Sequence, residues 1–118
     1  FPLIFSAILM ACTANVWAGD HHDQKIMDAA AKHPVTVAQA QKAADETAVS
    51  VTGIIVREVK HEHYELKDAS GTIMVEIDDK LATAAQLKAG TKVRVLGEVD
   101  THKYKPTDID AVKVEFVK

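Results

Sequence analysis

The chain has 118 residues, a formal net charge of −3, 47% hydrophobic and 5% aromatic residues, and one cysteine. This length suffices for one small domain. The slightly acidic balance excludes a basic stripe for nucleic-acid phosphates or an anionic membrane surface, and a single cysteine excludes an intramolecular disulfide.

The first 18 residues are uncharged, mostly apolar and end in Val16-Trp17-Ala18, a pattern typical of a signal-peptidase site. We expect residues 1–18 to be a signal peptide that is truncated at its start, followed by a mature chain in the periplasm. A membrane-spanning helix is the alternative, but polar Ser6 and Asn15 interrupt a run already shorter than the ~20 apolar residues needed. We therefore expect no membrane insertion after signal removal.

A second alternative concerns Cys12, because Leu9-Met10-Ala11-Cys12 resembles a lipoprotein cleavage box. Lipidation there would add an acyl anchor and leave the domain unchanged.

Residues 19–35 are polar and rich in His and Asp, which predicts a mobile arm. Cleavage after Ala18 would expose Gly19-Asp20-His21. The free amine, two deprotonated amides and the imidazole then supply a plane of nitrogens, the geometry that Cu(II) and Ni(II) favour. His22 could add a neighbouring ligand. The alternative is a solvated arm without a metal.

The region 36–118 alternates between turn signals and short apolar runs, which predicts one small β domain. Thr36 and Gln39 form a capping-box pattern for a short helix over 37–44. The turn Asp68-Ala69-Ser70-Gly71 joins two strands as a hairpin. The predicted strands span 48–59, 63–67, 72–78, 92–100 and 108–117, with a bulge near Ala111 and a helix from Asp78 or Asp79 to Gly90.

Two glycines interrupt the alternation of apolar residues inside predicted strands. Gly53 lies within the first strand and Gly97 within the fourth. A lone glycine in a strand usually marks a bulge or sharp bend. Bent strands suit a small closed sheet, and three strands, a helix and two further strands are the order of the OB-fold. The sequence thus predicts a mainly β protein, a five-stranded Greek-key barrel with a helix between strands three and four and a short helix before strand one.

The segments GIIV, YELKDASGTIMVEID and GTKVRVLGEVD resemble the bacterial OB-fold (BOF) family of small periplasmic proteins, the YgiW/YdeI-like stress-tolerance group. The resemblance covers about 37–114, and its most specific part is the K-D-A-S-G turn. It implies a periplasmic location, tolerance of oxidative, metal or acid stress, and no established catalytic residues. The sequence departs from the family in its His-rich arm and at His61-Glu62-His63.

OB-folds commonly bind ligands on strands two and three and on the loops between strands one and two and between four and five. That placement predicts a polar face for a small ligand or a peptidoglycan fragment, with a solvated face as the alternative. The candidate residues are His61, His63, Glu65, Lys67, Met74, Glu76, His102 and Tyr104.

Other chemistry has less support in the sequence. His61 and His63, with Glu65, could form a weak Zn(II) or Cu(II) site, although exposed histidines explain the same pattern. Nucleic-acid binding needs exposed aromatic rings, and we expect Tyr64 and Phe116 in the core.

We also expect no enzymatic activity and no required cofactor, because no nucleophile lies beside a base and no phosphate-binding glycine loop is present. Exposed carboxylates such as Glu76 and Asp78 are very weak support for a glycosidase. The sequence predicts no oligomeric state.

Overall fold

The computed structural model describes residues 21–118, with side chains from residue 23 onward. Two short helices precede five strands along the chain. Their bounds are α1 His21–Ala31, α2 Val37–Lys42, β1 Ala48–Lys60, β2 His63–Asp68, β3 Gly71–Glu76, β4 Lys92–Asp100 and β5 Asp108–Phe116. The five predicted strands are confirmed, and β4 has the predicted bounds.

The strands form a closed barrel in the order β1-β2-β3-β5-β4, with β1 also paired to β4. The long strand β1 pairs with two neighbouring strands. Its first part, Ala48–Ile54, pairs with β4, and its second part, Ile54–Lys60, pairs with β2. The β3–β5 pair is parallel, whereas the other pairs are antiparallel. Closure leaves no long unpaired edge. The predicted Greek-key barrel is therefore confirmed.

Alternation along the strands places one apolar set inside the barrel. Tyr64 and Leu66 of β2 and Val75 of β3 are fully buried, as are Val93 and Val95 of β4. Each such aliphatic side chain contributes about 1.5–3 kcal/mol through removal from water. Phe116 was expected in the core and is instead 48% exposed. It lies at the last position of β5, where the barrel ends.

Gly53 and Gly97 lie where two backbones approach too closely for a side chain. A Cβ at Gly53 would stand 2.5 Å from the Lys67 carbonyl oxygen, and one at Gly97 would overlap the Asp110 carbonyl. Opposite Gly97, the register skips one residue of β5 between Ala111 and Lys113, which is the predicted bulge. The glycines thus permit close strand approach beside irregular pairing.

Helix α2 is held by the turn between β2 and β3 as well as by its own capping box. Thr36 accepts from the Gln39 N–H, and the Gln39 side chain accepts from the Thr36 N–H, as predicted. The carboxylate of Asp68 accepts from the Val37 N–H, and the Ser70 hydroxyl accepts from the Ala38 N–H, both at 2.9 Å. Three otherwise unpaired N–H groups of the first turn are thereby satisfied.

The segment expected to be a mobile arm contains helix α1, so that expectation is corrected. Ile26 and Ala30 are buried, and their spacing of four residues puts them on one helical face against β1 and β4. The following residues are also tied to β1, because His33 and Val35 exchange backbone hydrogen bonds with Ser50. The polar composition of residues 19–35 gave no indication of this small apolar contact.

The helix expected between β3 and β4 is present only as separate hydrogen-bonded turns. The N–H of Ala82 donates to Asp78, and the N–H of Leu87 donates to Thr83. Ala82 and Leu87 are buried, whereas Ala84 and Ala85 between them are exposed. The Thr83 N–H donates to the Gln86 side chain, which starts a new turn and interrupts the first.

Of the described helices, none is long and apolar enough to cross a membrane.

Candidate functional site

The outward face of β2 and β3 brings four predicted ligand residues together. His63 lies opposite Glu76, and Glu65 lies opposite Met74. All four side chains are half-buried, while their neighbours Tyr64, Leu66, Ile73 and Val75 point into the core. The two neighbouring pairs form a compact patch of imidazole, carboxylate and thioether groups, which we call the β2–β3 face.

The β2–β3 face is bordered on one side by an ion pair from β1. The Arg57 Nε lies 3.1 Å from Glu65 Oε1, and these residues are cross-strand partners. Lys67, a further predicted ligand residue, is exposed at the other end of β2, opposite Thr72 and Ile54. There it helps line a separate apolar pocket of about 470 Å³ with Ile54 and Val56.

The turn between β1 and β2 forms a cluster of its own. His61 Nε2 lies 3.2 Å from Asp79 Oδ2, and Glu62 Oε2 accepts from the Asp79 N–H. The backbone of Glu62 has a φ of 66°, a left-handed conformation that reverses the chain here. His63 instead directs Nδ1 to the His61 carbonyl oxygen. The predicted ligand set of His61, His63 and Glu65 is therefore not assembled.

The loop between β4 and β5, residues 101–107, carries two predicted ligand residues with opposite surroundings. Tyr104 is 89% exposed, and Lys103 Nζ lies 5.6 Å from the centre of its ring. An exposed ring on a loop is free to stack on a ligand. His102 is half-buried because it folds back onto the ends of β4 and β5.

His102 lies between two aspartates that face each other across the strands. Asp100 ends β4 and pairs with Asp108 at the start of β5. His102 Nε2 is 3.3 Å from Asp108 Oδ2 and 3.6 Å from Asp100 Oδ2. Within residues 21–118, Asp108 Oδ1 and His102 Nε2 are buried without a hydrogen-bond partner. We call Asp100, His102 and Asp108 the 100–108 cluster.

A row of carboxylates runs beside the 100–108 cluster across three strands. Asp110 of β5 pairs with Glu76 of β3 on one side and with Glu98 of β4 on the other. Asp110 is exposed overall, but partial desolvation of its carboxyl group and repulsion from Glu76, Asp100, Asp108 and Glu98 raise its pKa. This side of the barrel therefore attracts cations and repels phosphates.

Sequence reasoning identified His102 and missed Asp100, Asp108 and Asp110. The available signal was a carboxylate at each strand end flanking a histidine-containing loop. The cross-strand register that sets Asp100 against Asp108 depends on the bulge in β5, and the sequence pattern located that bulge only approximately.

The predicted Cu(II) or Ni(II) site falls on Gly19 and Asp20, which lie outside the described residues, as do the side chains of His21 and His22. This metal site therefore stays a prediction. The signal peptide over 1–18 and lipidation at Cys12 also stay predictions, because these residues lie outside the described part of the chain.

A closed five-stranded barrel with this strand order and a polar face on β2 and β3 defines an OB-fold protein. The family model described as bacterial OB fold (BOF) protein matches residues 16–116. The chain belongs to the bacterial OB-fold family, and the predicted family is confirmed.

Relatives and solved structures agree with this assignment. The calcium-regulated OB-fold protein CarO of Pseudomonas aeruginosa is 40% identical over 83 residues, which cover 70% of this chain and 71% of CarO. Protein YgiW of Escherichia coli K12 is 35% identical over 82 residues, 70% of this chain and 62% of YgiW. The solved structure of the hypothetical protein ygiW from E. coli has a TM-score of 0.64 and 35% identity, covering 70% of this chain and 88% of that one.

More distant OB-folds share the architecture alone. The telomere capping protein Ten1 from Saccharomyces pombe has a TM-score of 0.57 at 11% identity, covering 70% of this chain and 78% of that one.

Proposed function

We propose that this protein is a non-catalytic binding module of the bacterial periplasm that holds a small polar ligand, a peptidoglycan fragment in particular, and contributes to envelope stress tolerance. The observation that carries the proposal is the β2–β3 face. Four half-buried side chains lie there at paired strand positions, on the outer side of the barrel wall, namely His63, Glu65, Met74 and Glu76. OB-folds that bind oligosaccharides use this face.

The chemistry of the face fits a glycan. Carboxylates and imidazoles hydrogen-bond sugar hydroxyl and amide groups, and the apolar Met74 side chain offers contact to a sugar ring. Tyr104 adds an exposed aromatic ring on the adjacent loop. Because Arg57 holds Glu65 in place, the carboxylate loses little conformational freedom when a ligand binds.

The charge of the barrel disfavours nucleic acid as the ligand. An acidic row crosses three neighbouring strands and consists of Glu76 of β3, Asp110 of β5 and Glu98 of β4. A nucleic-acid backbone bound there would bring its phosphates close to these carboxylates. Neutralising phosphates requires cations at such positions. This arrangement supports a ligand other than DNA or RNA.

The positions of the serine hydroxyl groups support a non-catalytic role. Of the two serines in residues 21–118, Ser50 is buried and the Ser70 hydroxyl caps α2. Among the described residues, neither hydroxyl is hydrogen-bonded to a histidine ring, and His33, whose backbone pairs with Ser50, directs Nδ1 to the Ala48 carbonyl oxygen. The proposed export rests on the uncharged apolar residues 1–18.

Calorimetric titration with a peptidoglycan-derived disaccharide peptide tests the proposal. Glu65→Gln and Tyr104→Ala should each weaken binding about tenfold, the effect of losing one charge-assisted hydrogen bond or stacking contact. The matched control is Glu115→Gln. Glu115 forms a comparable ion pair with Arg94, in which Arg94 Nη1 lies 2.9 Å from Glu115 Oε1, and this pair lies away from the β2–β3 face. No binding by the wild-type protein, or equal binding by the Glu65 and Glu115 variants, would contradict the proposal.

A further inference from the structure

We propose that the 100–108 cluster binds a first-row divalent metal ion of the Zn²⁺ type through one oxygen of Asp100, Nε2 of His102 and one oxygen of Asp108. This site is separate from the glycan-binding role proposed for the β2–β3 face. It uses three side chains from two strand ends and the loop that joins them, and their ligand atoms all lie within 4.8 Å of one another.

The spacing of the three groups matches the edges of a metal coordination shell. Ligand atoms about 2.1 Å from Zn²⁺ in tetrahedral geometry are about 3.4 Å apart. The two distances from His102 Nε2 are 3.3 Å and 3.6 Å. Both exceed the 2.7–3.2 Å typical of a good hydrogen bond. The imidazole nitrogen thus lies at a distance from both carboxylates that suits a shared ion.

The surroundings of Asp108 would favour a bound cation. The residue is only 8% exposed, and its Oδ1 is one of the few buried side-chain atoms in residues 21–118 that lacks a hydrogen-bond partner. A buried carboxylate is costly unless it is paired or coordinates a metal. Asp100 lies directly opposite on β4, and like charges on facing positions destabilise a strand pair. A divalent ion would balance the charges of both carboxylates.

The ligand types identify the class of metal. One imidazole and two carboxylates form a nitrogen and oxygen set that suits Zn²⁺ and its neighbours. Ca²⁺ takes six to eight oxygen ligands, and Mg²⁺ prefers oxygen and water. Three protein ligands leave the fourth tetrahedral position for water or for a donor atom of a second ligand.

Calorimetric titration of the metal-stripped, untagged protein with ZnCl₂ tests this site. We expect one Zn²⁺ per chain bound at micromolar or tighter affinity, and Ca²⁺ bound at least about 100-fold more weakly. His102→Gln should weaken Zn²⁺ binding by about tenfold or more, since loss of an outer-shell partner alone costs about that much. Asp108→Asn should act in the same direction.

The matched control is His33→Gln, because His33 is exposed and its Nδ1 lies 2.9 Å from the Ala48 carbonyl oxygen, not beside a carboxylate. It should bind Zn²⁺ within about twofold of wild type. Circular dichroism of His102→Gln, a variant at a half-buried loop position, checks that the protein is folded, so the test does not depend on the buried Asp108. The proposal is overturned if the wild type binds no Zn²⁺ below millimolar concentration, which would leave an ion pair only. It is also overturned if Ca²⁺ binds equally well, or if His21→Ala removes the binding while His102→Gln retains it.

Discussion

The carboxylate of Asp68 accepts a hydrogen bond from the Val37 N–H at 2.9 Å, which fastens the turn between β2 and β3 to the first residue of α2. The same carboxylate accepts from the N–H and the hydroxyl of Ser70, and Ser70 in turn accepts from Ala38. The D-A-S-G turn therefore serves two elements, since it closes a hairpin and caps a helix 31 residues earlier in the chain.

Asp68→Ala should lower the free energy of unfolding by about 1–2 kcal/mol, the usual effect of losing a helix N-cap. Urea denaturation measures the change. Asp28→Ala is the control, because Asp28 is exposed on α1 and, within residues 21–118, accepts only from the Gln24 side chain. Equal midpoints for the two variants would show that the cap contributes nothing.

Acid should weaken this cap in a predictable direction. Partial burial opposes ionisation of Asp68, but hydrogen bonds from Ser70, Val37 and Gly71 outweigh it and lower its pKa below the ordinary value of 3.8. A folded pKa below the unfolded one stabilises the fold above the unfolded value, and this contribution is lost as the pH falls through the folded value. The difference in unfolding free energy between wild type and Asp68→Ala should therefore shrink from about pH 7 to about pH 2. A difference that is constant or grows in acid contradicts this assignment.

Asp110 should behave in the opposite way. Its desolvation and the surrounding carboxylates raise its pKa, so the ionised form is disfavoured in the folded protein. Asp110→Asn should therefore raise the thermal midpoint at neutral pH, and the gain should diminish as the pH falls through the raised folded pKa and wild-type Asp110 becomes protonated. Melting curves at neutral pH and at a pH below the raised pKa of Asp110 check this. Asp23→Asn is the control, because Asp23 is exposed. A lower midpoint for Asp110→Asn at neutral pH would contradict repulsion in the acidic row.

Gly97→Ala should destabilise the barrel by about 2–4 kcal/mol, because the added Cβ meets the backbone of Asp110, which cannot move without breaking β4–β5 pairing. Gly53→Ala should act similarly through the Lys67 carbonyl. Thr52→Ala is the control at an exposed neighbouring position of β1 and should stay within about 0.5 kcal/mol. Chemical denaturation that leaves both glycine variants as stable as Thr52→Ala would contradict the observed strand spacing.

The strands were predictable because alternation and turn residues are local signals. In β4, apolar Val93, Val95 and Val99 surround Gly97, and the predicted and observed bounds agree. Helix α1 was missed because Ile26 and Ala30 gain their burial only against β1 and β4. A local pattern of polar residues carries no information about that contact.

The candidate site was predictable in part for the same reason. His63, Glu65, Met74 and Glu76 share a face because neighbouring strands of a hairpin have a register fixed by the turn. Asp108 depends on a parallel pairing with β3, an antiparallel pairing with β4 and a loop that folds back. These long-range relationships are absent from a single strand's pattern.

The most direct measurement of the central claim is an amide chemical-shift map of the ¹⁵N-labelled protein titrated with a disaccharide peptide from peptidoglycan. Saturable shifts should concentrate on β2, β3 and the loop containing Tyr104, with little change along the pocket lined by Ile54 and Val56. Shifts confined to that apolar pocket, or none at millimolar ligand, would contradict the assignment of the β2–β3 face as the binding surface.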